Sequence, residues 1–139
     1  MKRLLQWILQ NTSKPKTYPI ADFSELKLNY YDFTGLSLIN ANFSNCSLIG
    51  AIFKDVDLTN ADFTSAKLRD AYFDNANLSG ANFKDASFWG ATIKTMDVSG
   101  AKFEEAFGFD DHRKKHELVV ASRLSYEEIH SIKLRSGYA

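Results

Sequence analysis

The chain has 139 residues, a length that predicts a single domain with a hydrophobic core of its own. Its 17 basic and 17 acidic residues balance, which excludes a polycation that binds nucleic acid through overall charge. The charge is unevenly distributed, because residues 21–109 carry seven basic and twelve acidic residues, a net charge of −5. Cys46 is the only cysteine, which excludes an internal disulfide framework and fits a reducing compartment.

Residues 1–20 combine a short apolar run with a linker. The run in residues 3–10 is broken by Gln6, is short for the hydrophobic region of a signal peptide, and is followed by no small-residue cleavage site. No stretch of the sequence approaches the roughly 20 apolar residues that a membrane-spanning helix needs. We therefore expect a cytoplasmic protein whose N-terminal helix caps the next domain, with a turn marked by Pro15 and Pro19.

Residues 21–109 repeat with a period of five. A large apolar residue recurs at every fifth position from Phe23 to Phe103, seventeen times without a miss, and a smaller residue, most often Ala, precedes it by two. Five residues turn an α-helix by about 140° beyond a full turn, so this period makes no stripe on a helix. An odd period also conflicts with the alternation of side chains along a straight strand. The spacing therefore predicts short extended segments joined by corners, with both marked residues of each unit pointing inward.

The corner of each unit falls two residues after the large one. Residues that tolerate a positive φ recur there, and the Asp or Asn at the second position of each unit is interpreted as corner geometry and solubility, not catalysis. The corner residues of this kind are Gly35, Gly50, Gly80, Gly90 and Gly100, with Asn40, Asn45, Asn60 and Asn75.

This pattern resembles the pentapeptide-repeat family over about residues 21–107. The resemblance implies an all-β solenoid, a right-handed quadrilateral β-helix with four units to a coil and about four coils in this chain. Reading in steps of twenty then stacks like on like, with one ladder formed by Phe23, Phe43, Phe63, Phe83 and Phe103. The small inward position holds bulkier residues in the first coil, which suggests that this coil is wider and forms a lid; these residues are Leu26, Tyr31 and Leu36.

The period changes in residues 110–139. Asp110 or Asp111 can cap a helix that runs to about Leu124, and Ser125 with Glu128 forms a capping box that opens a second short helix. We expect a helical tail, and two roles stay open for it: a cap on the last coil, or a segment for dimerisation or partner docking.

A search for catalytic chemistry finds few candidates. His112 and His116 would share a helix face, but no third ligand is evident and the HRKKH segment surrounds them with positive charge. Cys46 occupies an inward position and is interpreted as a small core residue, not a nucleophile. No phosphate-binding loop or nucleophile elbow is present. The sequence therefore predicts no enzyme, no catalytic residue, no metal or cofactor and no small-molecule substrate.

Two binding functions from different classes are consistent with the sequence. The first is a scaffold or regulator that binds another protein or a second copy of the chain, without direct binding to nucleic acid or membrane. The second follows from the resemblance: some bacterial pentapeptide-repeat proteins protect type II topoisomerases from quinolones with an acidic rod that mimics duplex DNA. This chain departs from those proteins in its short solenoid and in its modest acidic excess with interspersed Lys and Arg. A bacterial source is the expectation that accompanies either function.

Large apolar residues at outward positions are candidates for a partner-binding surface. In steps of twenty, Tyr72 stacks on Ile52, and Trp89 lies two coils from Ile49, with Arg69 between them. Contiguous apolar surface marks interaction sites, and Trp and Tyr are favoured anchors. The alternative is scattered apolar surface, which is normal in soluble proteins. The predicted surface consists of Ile49, Ile52, Tyr72 and Trp89.

Overall fold

The structure, a computed structural model, describes residues 21–94 and 97–108, and they form an all-β solenoid. Three short strands, β1 (Ile52–Lys54), β2 (Tyr72–Asp74) and β3 (Thr92–Lys94), make a parallel sheet in the order β1-β2-β3. Neighbouring strands of this sheet lie twenty residues apart in the chain. Isolated parallel bridges continue the same offset around the solenoid, from Asp22↔Asn42 to Ser87↔Phe107. One coil therefore takes twenty residues, or four five-residue units.

Each coil has four faces of five residues. We call residues 21–25 face 1, residues 26–30 face 2, residues 31–35 face 3 and residues 36–40 face 4, each together with the residues that follow at intervals of twenty. Faces 2 and 3 meet at one edge of the solenoid, and faces 4 and 1 meet at the opposite edge.

Backbone hydrogen bonds hold the coils together and close each corner. Between coils, Phe23 N–H donates to Asn42 O at 2.7 Å, and Asn42 N–H donates to Ala21 O at 2.9 Å. Within a coil, Leu26 N–H donates back to Phe23 O at 3.1 Å and closes a four-residue turn, whose third residue, Glu25, has a φ of 63°. A turn of this shape requires positive φ at its third residue.

Positive φ is found at every corner that the structure describes, with values from 54° to 74°. The prediction for Gly and Asn is thus confirmed, and the structure extends it to residues that avoid this region, such as Glu25, Tyr30 and Ser65. The hydrogen-bonded corner determines the backbone conformation here. The residue type changes only the conformational free energy that positive φ costs.

Two stacked phenylalanine ladders lie in the core, together with columns of buried Leu and Ala. In the first, ring centroids lie 4.8 Å apart for Phe23 and Phe43 and 4.9 Å apart for Phe43 and Phe63, with nearly parallel rings. The second ladder contains Phe53 and meets the first edge-on, at 87° to Phe43. In both ladders, the rings from Phe23 to Phe73 thus have a stacked neighbour along the axis and an edge-on neighbour across it, whereas Phe83 meets Phe88 at a tilted angle of 56°. The predicted ladder of Phe23, Phe43, Phe63, Phe83 and Phe103 is confirmed.

The bulky residues of the first coil point inward. Leu36 is buried, and Leu26 and Tyr31 are half-buried against the core. The predicted capping helix in residues 1–20 and the helical tail in residues 110–139, with His112 and His116, lie outside the described residues. In the described part, no helix is long and apolar enough to cross a membrane.

Truncation of a ladder ring tests the stacking. Phe63 is fully buried and stacked on both sides, so we expect Phe63→Ala to lower the free energy of unfolding by about 3–5 kcal/mol, because neighbouring coils cannot collapse into the gap. Phe103 is only partly buried, and Phe103→Ala should cost less. Denaturant melts measure both losses, and equal losses would contradict the stacking described here.

Candidate partner-binding surface

The structure brings two of the four predicted surface residues into direct register. Ile52 pairs with Tyr72 on neighbouring coils of face 3, and both are half-buried. Ile49, also half-buried, lies on face 2 of the same coil as Ile52, and only the corner residue Gly50 and the inward Ala51 separate them in the chain. Trp89 is 48% exposed on face 2, two coils from Ile49.

A further aromatic residue at this edge, Tyr30, was missed in the sequence. Its side chain is 76% exposed and its φ is 61°, an unusual backbone conformation for a bulky residue. The ring lies over the corner of the next coil, because a Cβ at Gly50 would lie only 2.6 Å from its Cδ1 and Cε1 atoms. The five-residue period could have identified Tyr30, since it occupies a corner position that Gly, Asn and other small polar residues fill elsewhere.

A second apolar group lies toward the C-terminal end of face 2. Phe107 is 41% exposed and pairs with Ser87, next to Trp89. The Trp89 side chain packs against Gly108, because a Cβ at Gly108 would lie 2.9 Å from the Cγ atom of Trp89. We call the whole set the apolar surface; it consists of Tyr30, Ile49, Ile52, Tyr72, Trp89 and Phe107.

An ion pair separates the two ends of the apolar surface. Arg69 lies between Ile49 and Trp89 in steps of twenty, and its Nε atom is 3.3 Å from Asp70 Oδ2. Both side chains are more than half exposed, so this pair contributes little to stability. One large apolar residue, Ile39, is 47% exposed on face 4 and lies outside the surface.

The second position of the units has a different role on the opposite edge. There an Asp or Asn side chain accepts a hydrogen bond from the backbone N–H two residues later, as Asp57 does from Thr59 at 3.1 Å. This bond confirms the interpretation of these residues as corner geometry. Eight side chains make it, seven of them on faces 1 and 4: Asp22, Asp32, Asn42, Asp57, Asp62, Asn77, Asn82 and Asp97.

Face 2 has no Asp or Asn at this position. Its second positions are occupied by Lys, Ser and Phe, and face 3 has only Asp32 before it changes to Ile, Tyr and Thr. On face 2, Asn29 bonds differently, because its Oδ1 atom accepts the Ile49 N–H at 3.0 Å from the next coil. Every unit that contributes to the apolar surface therefore departs from the local pattern, which on faces 1 and 4 is broken only by Lys102 and Ser37.

Hydrogen bonds between residues two apart also shift the pKa of three side chains. The Ser24 backbone N–H lowers the pKa of Asp22, and the Thr34 hydroxyl, followed by its backbone N–H, lowers the pKa of Asp32. In the apolar surface, the hydroxyl of Tyr72 donates to Asp74 Oδ2 at 3.1 Å, which raises the pKa of Tyr72. Tyr72 thus stays a neutral donor at physiological pH.

Cys46 is fully buried, as the sequence predicted. Its Sγ atom lies 2.7 Å from Phe23 O, to which the thiol donates. Burial raises the pKa of this thiol to about 11, so the reactive thiolate is scarce at neutral pH. In residues 21–94 and 97–108, no group of three or more His, Cys, Asp or Glu side chains is arranged to hold a metal ion.

The comparison with protein families identifies the repeat. A model described as pentapeptide repeat region matches residues 26–103, more than half of the chain. The chain belongs to the pentapeptide-repeat family. No curated protein matches this pentapeptide-repeat chain.

The chain matches solved structures of pentapeptide-repeat proteins. Full-length QnrB1, a plasmid-mediated fluoroquinolone resistance protein, is 24% identical with a TM-score of 0.56, and the match covers 63% of this chain and 58% of that one. HetL, involved in heterocyst differentiation regulation in the cyanobacterium Nostoc sp. strain PCC 7120, is 27% identical with a TM-score of 0.38, and the match covers 63% of this chain and 44% of HetL. The chain thus spans less than two thirds of the length of either protein.

The second-position column of face 4 keeps its carboxylates apart, and this spacing can be tested. On face 4, Asn77 separates Asp57 from Asp97, with about 4.8 Å between neighbouring coils. Asn77→Asp keeps the bond from the Ser79 N–H but places three carboxylates in one column. We expect a loss of about 1 kcal/mol in the free energy of unfolding at low salt, because like charges repel at this distance.

Salt and a matched variant separate repulsion from other effects. The loss should shrink in about 1 M NaCl, where charges are screened within a few ångströms. Asn60→Asp adds the same charge at a corner whose column contains no carboxylate, and it should cost less. Chemical denaturation measures both variants, and equal losses at low salt would rule out the electrostatic explanation.

Proposed function

We propose that this protein is a non-enzymatic scaffold or regulator that binds a partner protein through the apolar surface. The main support for the proposal is the second position of each unit. On faces 1 and 4 this position mostly holds an Asp or Asn that stabilises the corner, whereas along the edge between faces 2 and 3 it mostly holds Lys, Ser or a large apolar residue. That exchange gives up a local hydrogen bond, and at Ile52, Tyr72 and Phe107 it places apolar side chains on the outer surface. Departures from a locally consistent pattern concentrate at functional sites, and exposed aromatic residues are favoured binding anchors.

The non-enzymatic part of the proposal rests on how polar groups are used. The recurring Asp and Asn side chains accept backbone N–H groups at the corners, as for Asp57 and Thr59. The Cys46 thiol is buried and its pKa is raised, which favours the unreactive form. These polar groups stabilise the solenoid, and none of them belongs to the apolar surface.

Charged substitutions on the apolar surface test the proposal. Ile49→Glu with Trp89→Glu should leave the fold and the melting temperature nearly unchanged, because both side chains lie on the outside of face 2. Capture of a partner from the native host, identified by mass spectrometry, should fall at least tenfold, because buried carboxylates at an interface are costly.

The matched control places the same charges on the opposite edge. Ile39→Glu with Ser44→Glu should capture the partner as well as the wild-type chain does. Equal capture by both double variants would show that the apolar surface is ordinary surface. Unfolding of the Ile49 and Trp89 variant would contradict the outward placement of these two side chains.

The second candidate function is DNA mimicry toward a type II topoisomerase. The observation in its favour is face 1, which holds six acidic and two basic residues. Lys84 and Lys102 interrupt that face, so we expect the purified protein to leave supercoiling by DNA gyrase unchanged at micromolar concentration. Inhibition that fades with added salt would replace the scaffold proposal with this candidate, since such binding is electrostatic.

A further inference from the structure

We propose that face 2 binds an acidic segment of another protein that also carries apolar side chains; this inference rests on the proposed function and names the chemistry of the partner. Face 2 differs from the rest of the solenoid in the sign of its net charge. It carries three basic residues and one acidic residue, whereas faces 1, 3 and 4 together carry four basic and eleven acidic residues. The residues of face 2 that carry charge are Lys27, Lys67, Arg69 and Asp70.

The positive charges alternate with the apolar surface along the solenoid axis. Lys27 and Lys67 are exposed at second positions of face 2, two coils apart, with Ser47 between them. Arg69 lies between Ile49 and Trp89 in the neighbouring column. A partner segment that crosses face 2 would therefore contact cations and apolar side chains in turn. Charge complementarity of this kind guides association and determines register, while the aromatic anchors contribute most of the affinity.

A second copy of the chain fits this face poorly. Face 2 against face 2 would bring Lys67 and Arg69 of one copy near the same positive residues of the other, and like charges at an interface are unfavourable. Face 2 against the acidic face 1 of another copy would use two different surfaces, and contacts of that kind continue into open filaments unless the rotation closes a ring.

Nucleic acid fits less well than an acidic polypeptide. The solenoid carries a net charge of −5, which repels a polyanion at long range. A short segment with a few carboxylates meets the local positive charge without bringing a high charge density to the acidic faces.

The dimensions of face 2 define a suitable probe. Five coils contribute to the face between Lys27 and Phe107, a span of about 19 Å at the spacing of parallel segments. A helix of about 13 residues has this length. Two fluorescein-labelled peptides of about this length, with identical Leu and Phe positions and either Glu or Lys at all other positions, separate the charge requirement from apolar contact.

Fluorescence anisotropy with the full-length chain tests the proposal. The Glu peptide should bind at least tenfold more tightly than the Lys peptide, and its affinity should fall several-fold between about 50 and 300 mM NaCl. Lys67→Glu with Arg69→Glu should weaken Glu-peptide binding at least tenfold. Lys84→Glu with Lys102→Glu makes the same charge change on face 1 and should leave binding within about twofold. Trp89→Ala should weaken both peptides.

Other outcomes overturn the inference. Equal binding of both peptides, or an equal effect of the face 1 and face 2 variants, would show that face 2 does not select acidic segments. Tighter binding of a labelled oligothymidine would favour nucleic acid. Sedimentation that shows self-association lost in the face 2 variant would favour a second copy. A photo-crosslinker at position 89 that joins residues 110–139 of the same chain would assign the face to its own tail. If the Glu peptide does not bind but the Ile49 and Trp89 variant still loses its partner, the scaffold proposal stands and the acidic partner is wrong.

Discussion

The structure depends on parallel pairing of backbone segments that lie twenty residues apart. Each coil donates to and accepts from the next, as in the bonds between Phe23 and Asn42 and between Asn42 and Ala21. This ladder repeats with the spacing of a β-sheet, close to the separation at which aromatic rings stack. The backbone repeat and the ring repeat therefore coincide, and the core is built by stacking Phe on Phe without adjustment from coil to coil.

The twenty-residue pairing also determines the conformational free energy that the corners cost. A coil of four short segments closes only if the chain turns sharply every five residues, and the third residue of each turn has positive φ. Gly meets that requirement without steric cost, whereas Tyr30 and Glu25 adopt it against their preference. Hydrogen bonds and packing between coils supply the stabilisation, as in the bond from Tyr30 N–H to Ile49 O, so the outward corner residue can vary.

That freedom separates structure from function within each unit. Two positions point inward, and the corner is held by backbone bonds. On faces 1 and 4, most second positions hold an Asp or Asn whose side chain stabilises the corner, as Asp57 does. Face 2 dispenses with that support and carries instead Lys, Ser and Phe, close to Ile49 and Trp89. The solenoid thus has a polar, locally hydrogen-bonded edge and an opposite edge suited to a partner.

The phenylalanine ladder required the twenty-residue step that the resemblance implies, whereas the sequence alone established the repeat and the inward and outward positions, because a side chain's burial follows directly from its place in the five-residue period. It also identified Ile52 and Tyr72 as neighbours, since the resemblance supplied the twenty-residue step. The five-residue period places Tyr30 at a corner, but it does not show where an exposed aromatic ring at that corner lies. Only the tertiary structure decided that the Tyr30 ring lies over Gly50 and that the Trp89 side chain packs on Gly108. Both contacts join residues about twenty positions apart, and side-chain direction at an exposed corner depends on the neighbouring coil, not on the local sequence.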